Sequence, residues 1–310
     1  MDFKIEPCRD GMTVRDFIRN NLKLSRRELT RLKLFDEGIM LNGGHITVRA
    51  VLKAGDILTL ALDDRENDEN TNLLPTNLPL DIIFENEDFI LLNKPPFMPT
   101  HPSHGHFDDT LANALAYYFQ SRNIPFIFRA INRLDCDTSG VVLVAKNKHS
   151  CSLLSKEQEE HRICKKYIAA VHGRLCDDIG SIVRNIKREK ESIITRVVCP
   201  DNEGDYARTD YRLICTNSDS SYSLYEVTPV TGRTHQIRVH FSSLGCPLIG
   251  DSLYGSPDEE LISRHALHAS SLSFLNVSNG KKIIVKAAVP SDILRLLKML
   301  FPESAYLYSI

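Results

Sequence analysis

Asn132-Arg133-Leu134-Asp135-Cys136-Asp137-Thr138-Ser139-Gly140 runs without a break into Val141-Val142-Leu143-Val144-Ala145. The second half is an unbroken apolar, mostly β-branched run, the pattern of a strand buried on both faces. The first half is polar and ends in glycine, so it reads as a loop that brings a carboxylate to the start of that strand. Asp135 and Asp137 stand two apart. In extended chain their side chains point to opposite faces, which argues against a paired general acid and base. Thr138-Ser139-Gly140 also makes sense as a plain turn, and Arg133 beside a carboxylate as a structural ion pair.

Outward from this point the strand signals continue. Ile82-Ile83-Phe84 and Phe89-Ile90-Leu91-Leu92 flank the turn Glu85-Asn86-Glu87-Asp88, and 167–171, 193–198 and 223–227 read as further strands. Helical patterns fall at 110–119, 149–161, 234–244 and 291–300. Strands predominate and do not alternate regularly with helices. The expected class is therefore α+β on a mixed, mainly antiparallel central sheet, not a doubly wound parallel one.

A length of 310 residues suggests about two domains. Residues 63–70 carry no apolar side chain and Pro75 and Pro79 follow, so 63–80 reads as an acidic linker between a small α/β module at 1–62 and a larger unit at 81–310. In the module, Thr13 can cap a helix bearing Val14, Phe17, Ile18 and Leu22 on one face. Ser25-Arg26-Arg27-Glu28 fits a capping box. The helix it opens turns Leu29 and Leu32 inward and Arg26, Arg27, Arg31 and Lys33 outward, which by itself describes a solvated face. A strand and tight turn at 38–44 and a turn and closing strand at 51–60 complete it.

The net charge of −2 conceals an uneven distribution. Residues 1–62 hold 11 Lys and Arg against 8 Asp and Glu, and 63–88 hold 1 against 9. Both flanks of the acidic segment are mildly basic, so a nucleic-acid partner is not excluded. No apolar run approaches the roughly 20 residues of a membrane span, and the first residues are not a secretory signal. None of the eight cysteines forms a C-x-x-C pair, and they read as reduced thiols of a cytoplasmic protein. Three histidines at 101, 104 and 106 lie in a turn-rich loop without further ligands, and His235 and His240 lack the spacing of a helical zinc pair. No metal site is expected. In 232–240, Arg and Gln supply fork-shaped donors suited to phosphates and base edges, against the plainer reading of an amphipathic surface helix.

Taken in order, the motifs are K-P at 94–95 and H-P at 101–102, R-L-D-x-x-T-S-G at 133–140, and K-x-Y at 165–167. G-R-T-H-Q-I-R-x-H at 232–240, L-G-x-P-x-x-G-D-x-x-Y-G at 244–255 and A-L-H-A at 266–269 follow. This series resembles the RluA-type pseudouridine synthase family across 81–290. The basic helix, L-N-G and K-x-G-D elements of 1–62 resemble the small RNA-binding domain named after ribosomal small-subunit protein four.

The resemblance implies isomerisation of uridine in RNA, with no metal or other cofactor. Asp135 matches the family's aspartate nucleophile, acting on the ribose or the uracil ring. Burial would raise its pKa, so a cation must stand beside it, and Arg238 matches that partner. Tyr167 matches the active-site tyrosine and Leu267 an apolar pocket residue. Arg133 matches the residue that fills the space left by a flipped-out base. Lys94, Arg233 and Lys166 are expected as exposed cations on the RNA backbone, with Arg26, Arg27 and Arg31 serving the N-terminal module. The expected partner is structured RNA lying between the modules, ribosomal before transfer RNA, with no membrane and no obligate protein partner. Two departures stand out: Asn132 where the family often has His, and Phe97 where a small residue is usual. The rival readings are a non-catalytic RNA-binding or ribosome-assembly factor on the same fold, and a hydrolase using Asp135 with Asp137.

Overall fold

The structure, a computed structural model, describes residues 1–22, 24, 29, 32, 33, 37–61, 73–189 and 194–304. The N-terminal part is a small antiparallel sheet of β1 (Asp2–Lys4), β2 (Ile39–Leu41), β3 (Gly44–His45) and β4 (Ile57–Leu60), in the order β1-β4-β2-β3. Helix α1 (Val14–Asn20) begins where the Thr13 hydroxyl accepts the Asp16 N–H. Val14, Phe17 and Ile18 on that helix pack with Leu29, Leu32, Leu52, Leu58 and Leu60 into a core of their own. Asn42 and Gly43 both take positive φ in the turn between β2 and β3, the requirement of a two-residue hairpin. Arg26, Arg27, Arg31 and the Ser25–Glu28 capping box lie outside the described residues.

The larger part contains β5 (Ile82–Glu85), β6 (Phe89–Lys94), β7 (Ser139–Ala145), β8 (Cys164–His172), β9 (Ile179–Val183), β10 (Asn185–Arg188), β11 (Arg196–Cys199), β12 (Arg208–Thr216), β13 (Tyr222–Pro229), β14 (Leu267–Leu275) and β15 (Lys282–Lys286). Its helices are α2 (Leu111–Gln120), α3 (Lys148–Glu159), α4 (Gln236–Ser242) and α5 (Ser291–Leu300). The main sheet runs β5-β6-β7-β14-β8-β13-β12-β9, with β15 also on β14, while β10 and β11 form a separate hairpin. Only the short β7–β14 pairing is parallel among the described strands, so the α+β, mainly antiparallel expectation holds.

Both faces of the sheet are covered. Alternate residues of β6, β7 and β8 (Ile90, Leu92, Val142, Val144, Tyr167, Ala169) face α2 and Ile237 and Phe241 of α4. Their neighbours face the other way: Phe89, Leu91, Val141 and Leu143 meet Leu154 of α3, and Ile168 and Ala170 meet Leu296 and Leu297 of α5. The apolar run at 141–145 is thus a central strand with no wet face. Leu73, Leu78 and Leu80, at the end of the stretch read as a linker, lie against this core.

Several elements depart from the sequence expectation. Helix α4 starts at Gln236, two residues later than the pattern suggests, because His235 sits in the left-handed region at φ 56°. Strands β9, β12, β14 and β15 carried no strong strand signal. Leu-His-Ala-Ser-Ser-Leu-Ser-Phe-Leu of β14 is rich in small and polar residues, and its conformation is imposed by ladders on both sides.

Candidate active site

The loop before β7 is held at almost every residue. The Thr138 N–H bonds the Asp135 carbonyl at 3.1 Å, closing a turn over Cys136 and Asp137. The Thr138 hydroxyl meets His265 Nε2 at 2.7 Å, and Arg264 donates to the Asp137 carbonyl at 2.7 Å while pairing with Asp292 of α5. Burial, aided by the charge of Arg238, pushes His265 down to about 3, so it is neutral. Upstream, Thr100 bonds both the N–H and the carbonyl of Leu134. Asn132 brackets β7, its amide bonding the Val141 carbonyl at 3.0 Å and the Leu143 N–H at 2.8 Å. The Asn132 departure is therefore absorbed by strand backbone.

Gly140 is the one position in the motif where only glycine fits. Its φ is +118°, and a Cβ there would sit 2.2 Å from the Ala269 carbonyl oxygen. Close approach of β7 to β14 is what brings the Asp135 loop beside Leu267 and Tyr167.

Asp135 faces Arg238, whose Nη1 lies 3.6 Å from its Oδ2. The rest of that guanidinium is occupied: Nε and Nη2 each donate to Asp251 at 2.7 Å, a bidentate pair. Arg238 and Asp251 are 6% and 0% exposed, Asp135 21%. Burial works against both charges of the inner pair, and their mutual hydrogen bonds outweigh it, raising the Arg238 pKa and lowering that of Asp251. A permanent cation is thus fixed against Asp135 without being neutralised by it alone. His235 approaches the other carboxylate oxygen, with Nε2 4.0 Å from Oδ1. It is bonded through Nδ1 to the Tyr254 hydroxyl at 2.8 Å. The Tyr254 ring also lies beneath the Arg238 guanidinium, 5.1 Å from its centroid.

These groups line a cavity of about 250 Å³, walled by His101, Arg133, Asp135, Lys165, Tyr167, Arg233, His235, Arg238 and Leu267 among others. That is just below the usual range of ligand pockets, about 300–1,000 Å³. Burial first, and then the charge of Asp135, raise the Tyr167 phenol well above its ordinary pKa, so it keeps its proton. Asp137 is not part of the wall, which removes the geometric basis for a carboxylate pair. Among the described residues no group of three or more His, Cys, Asp or Glu is arranged to hold a metal ion.

Two expected backbone-binding cations are placed elsewhere. Lys94 is fully buried, not exposed. Its ammonium donates to the carbonyls of Pro95 (2.8 Å), Met98 (2.7 Å) and Cys136 (2.9 Å), stitching the turn after β6 to the Asp135 loop. It cannot reach a phosphate. Lys166 lies on the sheet face opposite Tyr167 and pairs with Glu226 at 3.1 Å. The two-residue strand period puts Lys165, not Lys166, in the pocket with Tyr167. Arg133 and Arg233 are exposed and in the wall as expected, Arg233 also donating to the Tyr206 carbonyl at 3.0 Å. Phe97 is exposed in the turn that Lys94 holds, with φ 59° where glycine would be relaxed. Asp251, Tyr254 and Lys165 were not singled out from sequence, and His235 was weighed only as a zinc ligand. Asp251 and Tyr254 stand inside a quoted motif, but only folding shows that they serve Arg238.

An acid and a buried arginine at the ends of the central strands of an α+β sheet, over a small pocket, define a site that known proteins make specific. The RNA pseudouridylate synthase family matches residues 88–243. The chain is 38% identical over 287 residues to the uncharacterized RNA pseudouridine synthase YjbO of Bacillus subtilis, spanning 93% of this chain and 99% of that one. It is 36% identical over 242 residues to ribosomal large subunit pseudouridine synthase D of Zymomonas mobilis, spanning 73% and 74%. Among solved structures, human RNA pseudouridylate synthase domain containing 1 superposes with a TM-score of 0.56 at 28% identity, covering 68% of this chain and 84% of that one. The chain belongs to the RNA pseudouridine synthase family, of the RluA type, and isomerises uridine to pseudouridine in RNA.

Proposed function

We propose that Asp135 is the nucleophile of this isomerisation, acting on a uridine turned out of structured RNA, with ribosomal RNA as the favoured substrate. The observation that carries the reading is the Asp135 carboxylate set 3.6 Å from a buried Arg238 whose own countercharge is Asp251. Arg238 sets a fixed positive charge beside the Asp135 carboxylate in the pocket wall, and a carboxylate there can attack C1′ of the ribose or the uracil ring. The C1′–N1 bond breaks, the uracil turns, a C1′–C5 bond forms, the C5 proton leaves to an acceptor, and N1 takes up a proton from water. Tyr167 and Leu267 hold the base from one side. Because the Tyr167 phenol stays protonated, it acts as packing surface and donor. Asp135 is at hand for the C5 proton once its bond to substrate is released.

Extruding a base costs a few kcal/mol of stacking. Arg133, exposed at the rim with no hydrogen bond or ion pair of its own among the described residues, has the planar group to take the vacated place. Arg233 and Lys165 supply positive charge for adjacent phosphates. The N-terminal sheet with its separate core serves as a second RNA-binding unit of the S-four-like kind, with Arg26, Arg27 and Arg31 as its contacts. The ribosomal preference rests on the named relative from Zymomonas mobilis.

The test is Asp135→Asn. Pseudouridine should vanish from RNA incubated with the purified variant, while its melting temperature and RNA affinity stay near wild type; undiminished turnover would refute the assignment. Mapping pseudouridine across cellular RNA, with and without the gene, names the substrate in the same comparison.

A further inference from the structure

Six non-glycine residues among those described adopt positive φ, and His235 is the one in the pocket wall. Such a backbone is costly for a residue with a Cβ and persists only where the surroundings demand it. Here it turns the imidazole between Tyr254 and Asp135. Nδ1 lies 2.8 Å from the Tyr254 hydroxyl, and Nε2 lies 4.0 Å from Asp135 Oδ1. The Tyr254 oxygen already accepts the backbone N–H of Arg196, at the start of β11, at 2.8 Å.

That arrangement selects one tautomer. With the proton on Nε2, Nδ1 accepts the phenolic proton, and the Nε2–H faces a carboxylate. With the proton on Nδ1, the phenolic proton has no acceptor among the described residues, and the Nε2 lone pair faces the lone pairs of Asp135. The groups surrounding the ring are Asp135, Arg238, Arg196 and Asp251. Burial, only partly opposed by Asp135, holds the imidazole below the ordinary histidine range, so it is neutral and the tautomer is the remaining variable. Burial likewise keeps the Tyr254 phenol protonated.

We propose that Tyr254 fixes His235 as the Nε2–H tautomer, and that His235 is a positioning residue whose Nε2–H donates to the Asp135 carboxylate when uridine occupies the pocket. Oδ1 is then held by His235 and Oδ2 by Arg238, which aims the carboxylate at one atom of the substrate. The 4.0 Å separation closes by a small rotation of the carboxylate, as catalytic contacts commonly tighten on substrate binding. The inference rests on Asp135 being the nucleophile.

The experiment is nitrogen NMR of protein labelled at its 11 histidines, with His235 assigned by its loss in His235→Gln, alongside steady-state kinetics. Wild type should show a protonated Nε2 and an unprotonated Nδ1 at position 235. Tyr254→Phe keeps the ring under Arg238 and removes only the hydroxyl. It should shift those signals toward a tautomer mixture and lower kcat about tenfold, the worth of one hydrogen bond, with KM for RNA little changed. His235→Gln, which retains an N–H donor, should keep more kcat than His235→Ala. A proton on Nδ1 in wild type overturns the proposal without any variant. So does a Tyr254→Phe protein that leaves either the tautomer or kcat unaltered, or equal losses in His235→Gln and His235→Ala. Should Asp135→Asn remain active, it is the nucleophile assignment that fails, whatever the tautomer.

Discussion

Arg238 shares one guanidinium between two carboxylates, and the division decides what each can do. Two of its nitrogens are spent on Asp251 and the third is turned to Asp135. Removing Asp251 would strand a buried cation, so Asp251→Ala should cost about 3–5 kcal/mol of stability, measurable by urea titration. Because the folded pKa of Asp251 is depressed, the pair contributes stability above the ordinary aspartate pKa of about 3.9, and that contribution is lost as pH falls below it through the folded value. Lys94 is linked to pH in the same direction, for a different reason. Burial pushes it down to about 7, whereas the unfolded chain holds that proton up to about pH 10.4. Between these values the unfolded state binds more protons, so stability from this group rises with pH. Lys94→Met should lose this rise, seen by comparing urea midpoints of variant and wild type at pH 7 and 9. The same substitution leaves three carbonyls without their donor and should cost at least about 2 kcal/mol. Asp135, Tyr167 and Arg238 were legible as residues because their motifs survive in the one-dimensional string. The misplacement of Lys94 and Lys166 has a simple cause: charge suggests exposure, and only the three carbonyls around Lys94 or the facing of β8 can overrule it.

Among the elements, the short parallel contact of β7 with β14 does the most for the site. It needs a residue without a Cβ at 140, and Gly140→Ala should put a methyl into the Ala269 carbonyl. The expected outcome is a loss of several kcal/mol or insoluble protein, checked by thermal melting of whatever fraction is soluble. Strands β6 and β7 were readable because an apolar run buried on both faces has few other interpretations. Strand β14 was not, since Ser and Ala carry little strand preference and its partners lie far off in the chain. Helix α4 shows a similar limit: the pattern marked a helix at 234–244, but could not register that His235 turns back toward Tyr254.

Among the described residues the buried apolar side chains fall into an N-terminal cluster and several around the large sheet, with no hydrophobic cluster spanning both parts. A chain starting at Leu73, which keeps the leucines packed on the catalytic core, should therefore fold and retain kcat on a short RNA. Its KM on long structured RNA should rise several-fold, with a weaker dependence on salt; an unchanged KM would show that the N-terminal part does not bind substrate. By itself the sequence determined the class of fold from local pattern, and its resemblance to the RluA-type family, carried by motifs kept in order along the chain, supplied the nucleophile candidate and its arginine. Tertiary structure alone decided which cations face RNA, that Asp251 holds Arg238, and that His235 and Tyr254 reach Asp135. Those relations join residues brought together by strand facing and by the β7–β14 crossing, and nothing in their sequence spacing encodes the distance between them.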